Sequence, residues 1–193
     1  KVVPRLGFGP RLIYVVGGQG GDGKLNQVEL YDPQATSWTQ LAGMSESRVS
    51  HGCVALDGKL YAMGGRGAAA QELDTAEVYD PQTDGWQPLA KMTTGRWALG
   101  LAAVGGKIYA IGGKNGGTTL ESVEAYDPQL GSWALVASMS EIRWCHASVV
   151  LDGKIYVMGG DDSGLLDTVE AYDPQANSWQ RVASMPQGRF WHA

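Results

Sequence analysis

The amino-acid sequence predicts an all-β fold, a kind of propeller built from four-stranded antiparallel blades, with four blades in this chain. Three observations carry that expectation. Paired glycines fall at Gly17-Gly18, Gly64-Gly65, Gly112-Gly113 and Gly159-Gly160, every 47 or 48 residues, and a fixed period of that size marks a repeat architecture. Each pair is followed by Tyr-Asp-Pro, at Tyr31, Tyr79, Tyr126 and Tyr172. Seven residues later stands a tryptophan (Trp38, Trp86, Trp133, Trp179), six further a methionine (Met44, Met92, Met139, Met185), and four beyond that an arginine (Arg48, Arg96, Arg143, Arg189). Lastly, 28 glycines in 193 residues are too many for a helical fold but suit short strands joined by tight turns.

The elements of one repeat follow in order. Lys154-Ile-Tyr-Val-Met158 is a short apolar β-rich run closed by two glycines, here called strand b. Leu166 to Tyr172 alternates more openly and forms strand c; it is stopped by Asp173-Pro174, because proline cannot donate to a ladder. Ser178 to Val182, around Trp179, is strand d. Strand a is clearest as Trp144 to Leu151 and meets strand b through Asp152-Gly153, as its sisters do through Asp57-Gly58 and Gly105-Gly106. Such pairs supply the positive φ that a two-residue hairpin requires. One meander cannot bury both of its faces, whereas meanders stacked around an axis can. Strand a lies innermost, where crowding calls for small residues, and Gly52, Gly100 and Ala147 share one register there. The repeated tyrosines and tryptophans are placed between adjacent blades as packing.

The whole chain, 1–193, reads as a single domain, with repeats at about 12–47 plus 189–193, 48–95, 96–142 and 143–188. A net charge of -5 without a lysine or arginine cluster argues against nucleic acid or an anionic membrane as partner. There is no apolar run near 18 residues and no charged-then-apolar leader, so neither a membrane span nor a signal peptide is expected. Cys53 and Cys145 sit at different positions of the repeat, which predicts two reduced thiols in a cytoplasmic protein rather than a disulfide framework.

Spacing also locates a candidate site. Only the gap between the second glycine and the tyrosine varies, at 13, 14, 13 and 12 residues, so the b–c loops alone change length. Antiparallel order puts these loops on the same face as the d–a connections, and variable loops on a uniform scaffold are where binding usually resides. The position after each arginine holds Val49, Trp97, Trp144 and Phe190, with Trp191 beside the last. Aromatic side chains around a central mouth are good anchors for a peptide; the alternative is that they plug the axis of the propeller. The four arginines are matched by Glu29, Glu77, Glu124 and Glu170, each two before its tyrosine, which predicts a structural ion pair per blade. Arg66 and Lys114 do not repeat and are the better functional cations. His51, His146 and His192 share a register that could form a three-histidine metal site, but no carboxylate repeats with them; no metal and no other cofactor is expected. No nucleophile elbow, phosphate loop or paired-carboxylate motif is present, so no catalytic residues are assigned and no enzyme is expected.

The double glycine, tyrosine and tryptophan at these separations resemble the kelch repeat, four times over about residues 12 to 193. The resemblance implies a propeller with one blade per repeat, closed by a C-terminal segment (Arg189 to Ala193) that supplies the inner strand of the first blade ahead of strand b at Leu12 to Val16. Kelch rings usually carry six blades; four repeats suit part of such a ring, a four-bladed ring or half of a dimeric assembly. In kelch substrate receptors that resemble this chain, peptide contacts come from the residue after the double glycine, from the b–c loops and from the position after the arginine. Carried over, these are Gln19, Arg66, Lys114 with Asn115, and Asp161, then Val49, Trp97, Trp144 and Phe190. The resemblance is strongest to kelch-like adaptors, whose propellers recruit substrates to cullin ubiquitin ligases; it implies a protein or peptide ligand, with BTB-domain and cullin contacts made through regions outside these residues. An actin-binding scaffold of the kelch kind is the alternative, and a small-molecule propeller enzyme comes last.

Overall fold

The computed structural model describes residues 2–4 and 12–192, and these form four four-stranded antiparallel sheets and one two-stranded ribbon. Blade one contains β1 (Val2–Pro4), β2 (Ile13–Gly20), β3 (Gly23–Asp32) and β4 (Ser37–Leu41). Blade two contains β5 (Gly52–Leu56), β6 (Lys59–Met63), β7 (Ala76–Asp80) and β8 (Gly85–Pro88). Blade three begins with β9 (Gly100–Val104) and β10 (Lys107–Ile111), carries the ribbon β11 (Lys114–Asn115) and β12 (Thr118–Thr119) in its b–c loop, and ends with β13 (Val123–Asp127) and β14 (Ser132–Val136). Blade four contains β15 (Ala147–Leu151), β16 (Lys154–Met158), β17 (Val169–Asp173) and β18 (Ser178–Val182). The innermost strands touch in series, β1 on β5, β5 on β9 and β9 on β15, so the blades stack side by side around one axis. Among the described residues no helix is long and apolar enough to cross a membrane.

Local chemistry accounts for the strands. Both residues of each a–b hairpin take positive φ: 49° and 76° at Asp57-Gly58, 59° and 76° at Gly105-Gly106, and 51° and 73° at Asp152-Gly153. Crowding at the axis is real, since a Cβ on Gly52 would lie 2.8 Å from the Leu101 Cβ. Strand a starts later than the sequence suggests, at Ala147 rather than Trp144. The residue two past each arginine has a left-handed backbone (Ser50 54°, Ala98 52°, Cys145 53°, Trp191 55°), and this kink detaches the aromatic position from the strand. At the last three of these kinks the N–H donates to the equivalent carbonyl one blade back: Ala98 to Ser50, Cys145 to Ala98 and Trp191 to Cys145.

The expected C-terminal closure is not what the described residues show. Val2–Pro4 occupies the inner edge of β2, with Val2 opposite Val15 and Pro4 opposite Ile13. Arg189 to His192 instead continues past blade four, where the Arg189 N–H donates to Leu166 and the Trp191 N–H to Cys145. Pairing β2 with a segment close to it in sequence closes a far shorter loop than recruiting the other end of the chain.

Three apolar interfaces hold the blades together. Tyr14, Val16, Val28 and Met44 of blade one meet Cys53, Leu60, Ala62 and Tyr79 of blade two, and the pattern recurs at the next two junctions. Each repeated tyrosine lies against its tryptophan, with ring centroids 4.9 to 5.3 Å apart. The Trp86, Trp133 and Trp179 indole N–H groups cross to the preceding blade and donate to the carbonyls of Ala42, Ala90 and Ala137.

The predicted ion pairs are present in blades two to four: Arg48–Glu77 at 2.9 Å, Arg96–Glu124 at 2.8 Å and Arg143–Glu170 at 3.0 Å. All three arginines are fully buried. Arg96 also donates to the Gly112 and Ser122 carbonyls, while Glu124 accepts from the Thr93 N–H. The backbone of each arginine is held by the preceding blade: the Arg96 N–H donates to Leu73, and its carbonyl accepts from Gly65. Each arginine therefore staples two blades. Removing one partner strands a buried charge, so Arg96→Met should cost about 3–5 kcal/mol in urea unfolding, and Arg96→Met/Glu124→Leu should recover most of it. Lys91→Ala breaks only the exposed Lys91–Asp74 pair, which is 3.2 Å apart, and should change stability by no more than about 0.5 kcal/mol.

The Tyr-Asp-Pro turns add a pH dependence. The Gln82 N–H and then Lys59 hold the Asp80 carboxyl below its usual range. The N–H groups of Ala176 and Gln175, and then Lys154, do the same for Asp173. A lowered folded-state value contributes stability above the unfolded carboxylate value that is lost as pH falls through the folded one. The urea midpoint should therefore drop as pH is taken below about 4, and Asp173→Asn should lessen that drop.

Candidate functional site

The residue after each arginine and the residue after each double glycine are brought together pairwise. Val49 bridges to Arg66, Trp97 to Lys114 and Trp144 to Asp161, each through a reciprocal pair of backbone hydrogen bonds between 2.9 and 3.3 Å. The d–a and b–c connections thus share one face, and six of the residues singled out from sequence line a single mouth. Side chains then cross between bridges. The Arg66 guanidinium sits 4.2 Å from the Trp97 ring centroid, and the Lys114 ammonium 4.5 Å from that of Trp144. Trp97 and Trp144 meet edge to face at 5.2 Å, and Trp144 meets Trp191 at 6.3 Å. The result is a ladder of alternating cations and indoles along the rim. Cation–π contacts contribute about 0.5–1 kcal/mol when exposed and about 2 when desolvated.

Polar groups fix the ladder. Arg66 pairs with Glu72 at 3.3 Å, and the Trp144 indole N–H faces an Asp161 carboxylate oxygen at 3.4 Å. Asn115 donates its side-chain amide to the Gly95 carbonyl, tying the β11–β12 ribbon to the d–a loop. Gln19 pairs with Lys24 within β2–β3 and has no contact with the ladder among the described residues. Phe190 is 40% exposed and lies beside Trp191, at 6.5 Å. Trp191, two past its arginine, takes the place by Trp144 that sequence reasoning gives to Phe190; the kink at this register turns its ring back to the preceding blade.

A cleft of about 330 Å³ opens at the axis beneath this rim, lined by residues that include Ser50, Ala98, Cys145 and Trp191. Its histidines are spacers between blades. His51, His146 and His192 turn Cε1 toward Gly17, Gly112 and Gly159, where any Cβ would come within 3.2 Å of that atom. Among the described residues no group of three His, Cys, Asp or Glu is placed to hold a metal ion. Burial and then Arg189 push His192 below its ordinary value, so it is neutral at pH 7. Burial, then Asp161, pushes the Cys145 thiol up to about 12, which leaves it protonated and a poor nucleophile. What this face offers is apolar area, two cations and backbone rigidity.

Known proteins agree with this architecture. A model of the KLHDC2/KLHL20/DRC7 Kelch-repeats domain matches residues 10–193. The chain belongs to the kelch-repeat family. An F-box/kelch-repeat protein of Arabidopsis thaliana is 46% identical over 55 residues, 28% of this chain and 15% of that protein. Kelch-like protein 26 of Mus musculus is 44% identical over 62 residues (30% and 10%), and Kelch-like protein 28 of Homo sapiens 38% over 75 (33% and 13%). These matches span 15% or less of each relative's length. The solved structure of YjhT superposes with a TM-score of 0.81 over 98% of this chain and 72% of that one; at 17% identity the likeness concerns the fold. The kelch propeller is a protein-interaction fold, and its thiols are structural here: neither Cys53 nor Cys145 is in a disulfide, and both are buried. Iodoacetamide at pH 8 should leave both unmodified in the folded protein, as mass spectrometry will show, and should label both after unfolding in urea.

Proposed function

We propose that this kelch propeller captures a short segment of a partner protein on its b–c/d–a face, as the substrate-recognition part of a cullin ubiquitin ligase adaptor acting in the cytoplasm. The observation that carries the binding role is the ladder Arg66–Trp97–Trp144–Trp191, with Lys114 stacked on Trp144. Rigid indoles contribute contact area with few rotors to freeze, and such residues dominate interface energetics. The cleft beneath them takes an apolar or aromatic anchor, and Arg66 and Lys114 favour a carboxylate close to it in the ligand. The adaptor role is supported by the similarity of the chain to kelch-like proteins. Scaffolding through blade sides is the second reading, for which Leu130 and Leu135, 76% and 67% exposed on the outer part of blade three, are the supporting surface.

Trp97→Ala/Trp144→Ala should weaken partner capture by about 100-fold or more, whereas Leu135→Ala should leave it unchanged. Pull-down with titration by calorimetry measures both, and a melt by circular dichroism checks that the double variant stays folded. Full capture by a folded double variant, with loss in the Leu135 variant, would transfer the site to the blade sides.

A further inference from the structure

The position after each double glycine is neutral in blade one (Gln19), cationic in blades two and three (Arg66, Lys114) and acidic in blade four (Asp161). The three charges are not met alike. The Arg66 guanidinium is answered by Glu72, 3.3 Å away. Lys114 has no counter-ion among the described residues, and its ammonium rests on the Trp144 ring. Asp161 likewise makes no ion pair among the described residues, although it shares that indole with Lys114. One of its oxygens, Oδ1, accepts both from the Trp144 indole N–H at 3.4 Å and from the Ser163 N–H at 3.0 Å. Both Lys114 and Asp161 are partly exposed.

Trp144 therefore stands between two opposite charges that lack counter-ions among the described residues, a cation at its face and a carboxylate at its N–H edge. The backbone fixes where each charge is rooted. Lys114 is bridged to Trp97 in blade three and Asp161 to Trp144 in blade four. Orienting the indole requires an acceptor but no net charge, and an asparagine would serve. A fixed pair of separated charges on a binding face does something more. It selects ligands by sign, because a like charge brought against either group costs more than a matched one contributes.

We propose that this rim selects an amphoteric peptide segment, in which one acidic side chain meets Lys114 and one lysine or arginine meets Asp161, on either side of Trp144. The inference rests on capture of a peptide by this face and adds the charge pattern that the peptide carries. An extended chain sets side chains i and i+2 on one side, roughly 7 Å apart. An acid and a base in that spacing straddle one indole, whichever comes first along the chain. A segment with two acids meets repulsion at Asp161, and one with two bases meets it at Lys114. Arg66, with Glu72 beside it, contributes less to this choice.

Selection from a random dodecapeptide phage library on the intact chain tests this. Wild type should enrich peptides with an acidic and a basic residue two positions apart. Lys114→Glu should turn the enrichment to paired basic residues, and Asp161→Lys to paired acidic ones. Asp161→Lys also removes the acceptor that Trp144 and Ser163 use, so Asp161→Asn, which keeps it, is measured as well. By fluorescence anisotropy, the best wild-type peptide should bind about 5-fold more weakly to Asp161→Asn or to Lys114→Met, the loss that a partly exposed ion pair accounts for. Replacing the base of that peptide by glutamine should then cost nothing further against Asp161→Asn. Enriched peptides that need Trp97 and Trp144 but carry no such charge pair, or that keep the same charges in both reversed variants, overturn this inference and leave capture on this face standing. Peptides indifferent to Trp97→Ala/Trp144→Ala, or no enrichment at all, overturn both.

Discussion

The buried arginine–glutamate staple is the constraint on which the rest of this propeller depends. Its backbone belongs to one blade and its guanidinium to the next, so no blade completes its own polar bonding alone. A buried cation is tolerated only when its donors are engaged, and Arg96 meets that demand with the Gly112 and Ser122 carbonyls, the Ser122 hydroxyl and Glu124. The first two acceptors lie at the end of strand b and before strand c. The staple thereby fixes both roots of the b–c loop while leaving its tip outside. This is why spacing within the repeat is rigid everywhere except in that loop, and why the loop can carry recognition without disturbing the blade.

The same geometry shapes the mouth. The left-handed residue two past each arginine turns the chain sharply from the loop face into the inner strand. The residue just before that kink is held by a bridge to the b–c root of its own blade. Arg66 then lies over Trp97 rather than over its bridge partner Val49, so the cation–indole contacts run around the rim from blade to blade. Loops that would otherwise move independently are coupled through aromatic faces, and a preorganised surface of this kind has little entropy left to lose.

Much of this is legible in the sequence because each repeat offers four chances to see the same register. Arginine and glutamate recur at fixed offsets, and Asp-Gly or Gly-Gly marks the a–b hairpins of blades two to four, so staple and turns can be placed from spacing alone. The pairs Val49/Arg66, Trp97/Lys114 and Trp144/Asp161 emerge one member at a time, since their bridging depends on a kink at Ser50, Ala98 and Cys145, three residues with no shared side-chain chemistry. Spacing favours Phe190 over Trp191 for that reason. It also points to the C-terminal segment for the inner strand of blade one, because Val2–Pro4, which fills that place, carries no arginine, histidine or glycine to give it a register.

A staple shared across every boundary also bears on how such a chain can lengthen. Duplicating any stretch that runs from one arginine to the residue before the next adds a blade whose glutamate accepts the arginine already in front of it, and whose own successor is supplied in turn. No compensating substitution is required at either seam. The architecture is thus open to growth by tandem duplication, with each new unit born compatible and free to diverge first in the loop between its double glycine and its tyrosine.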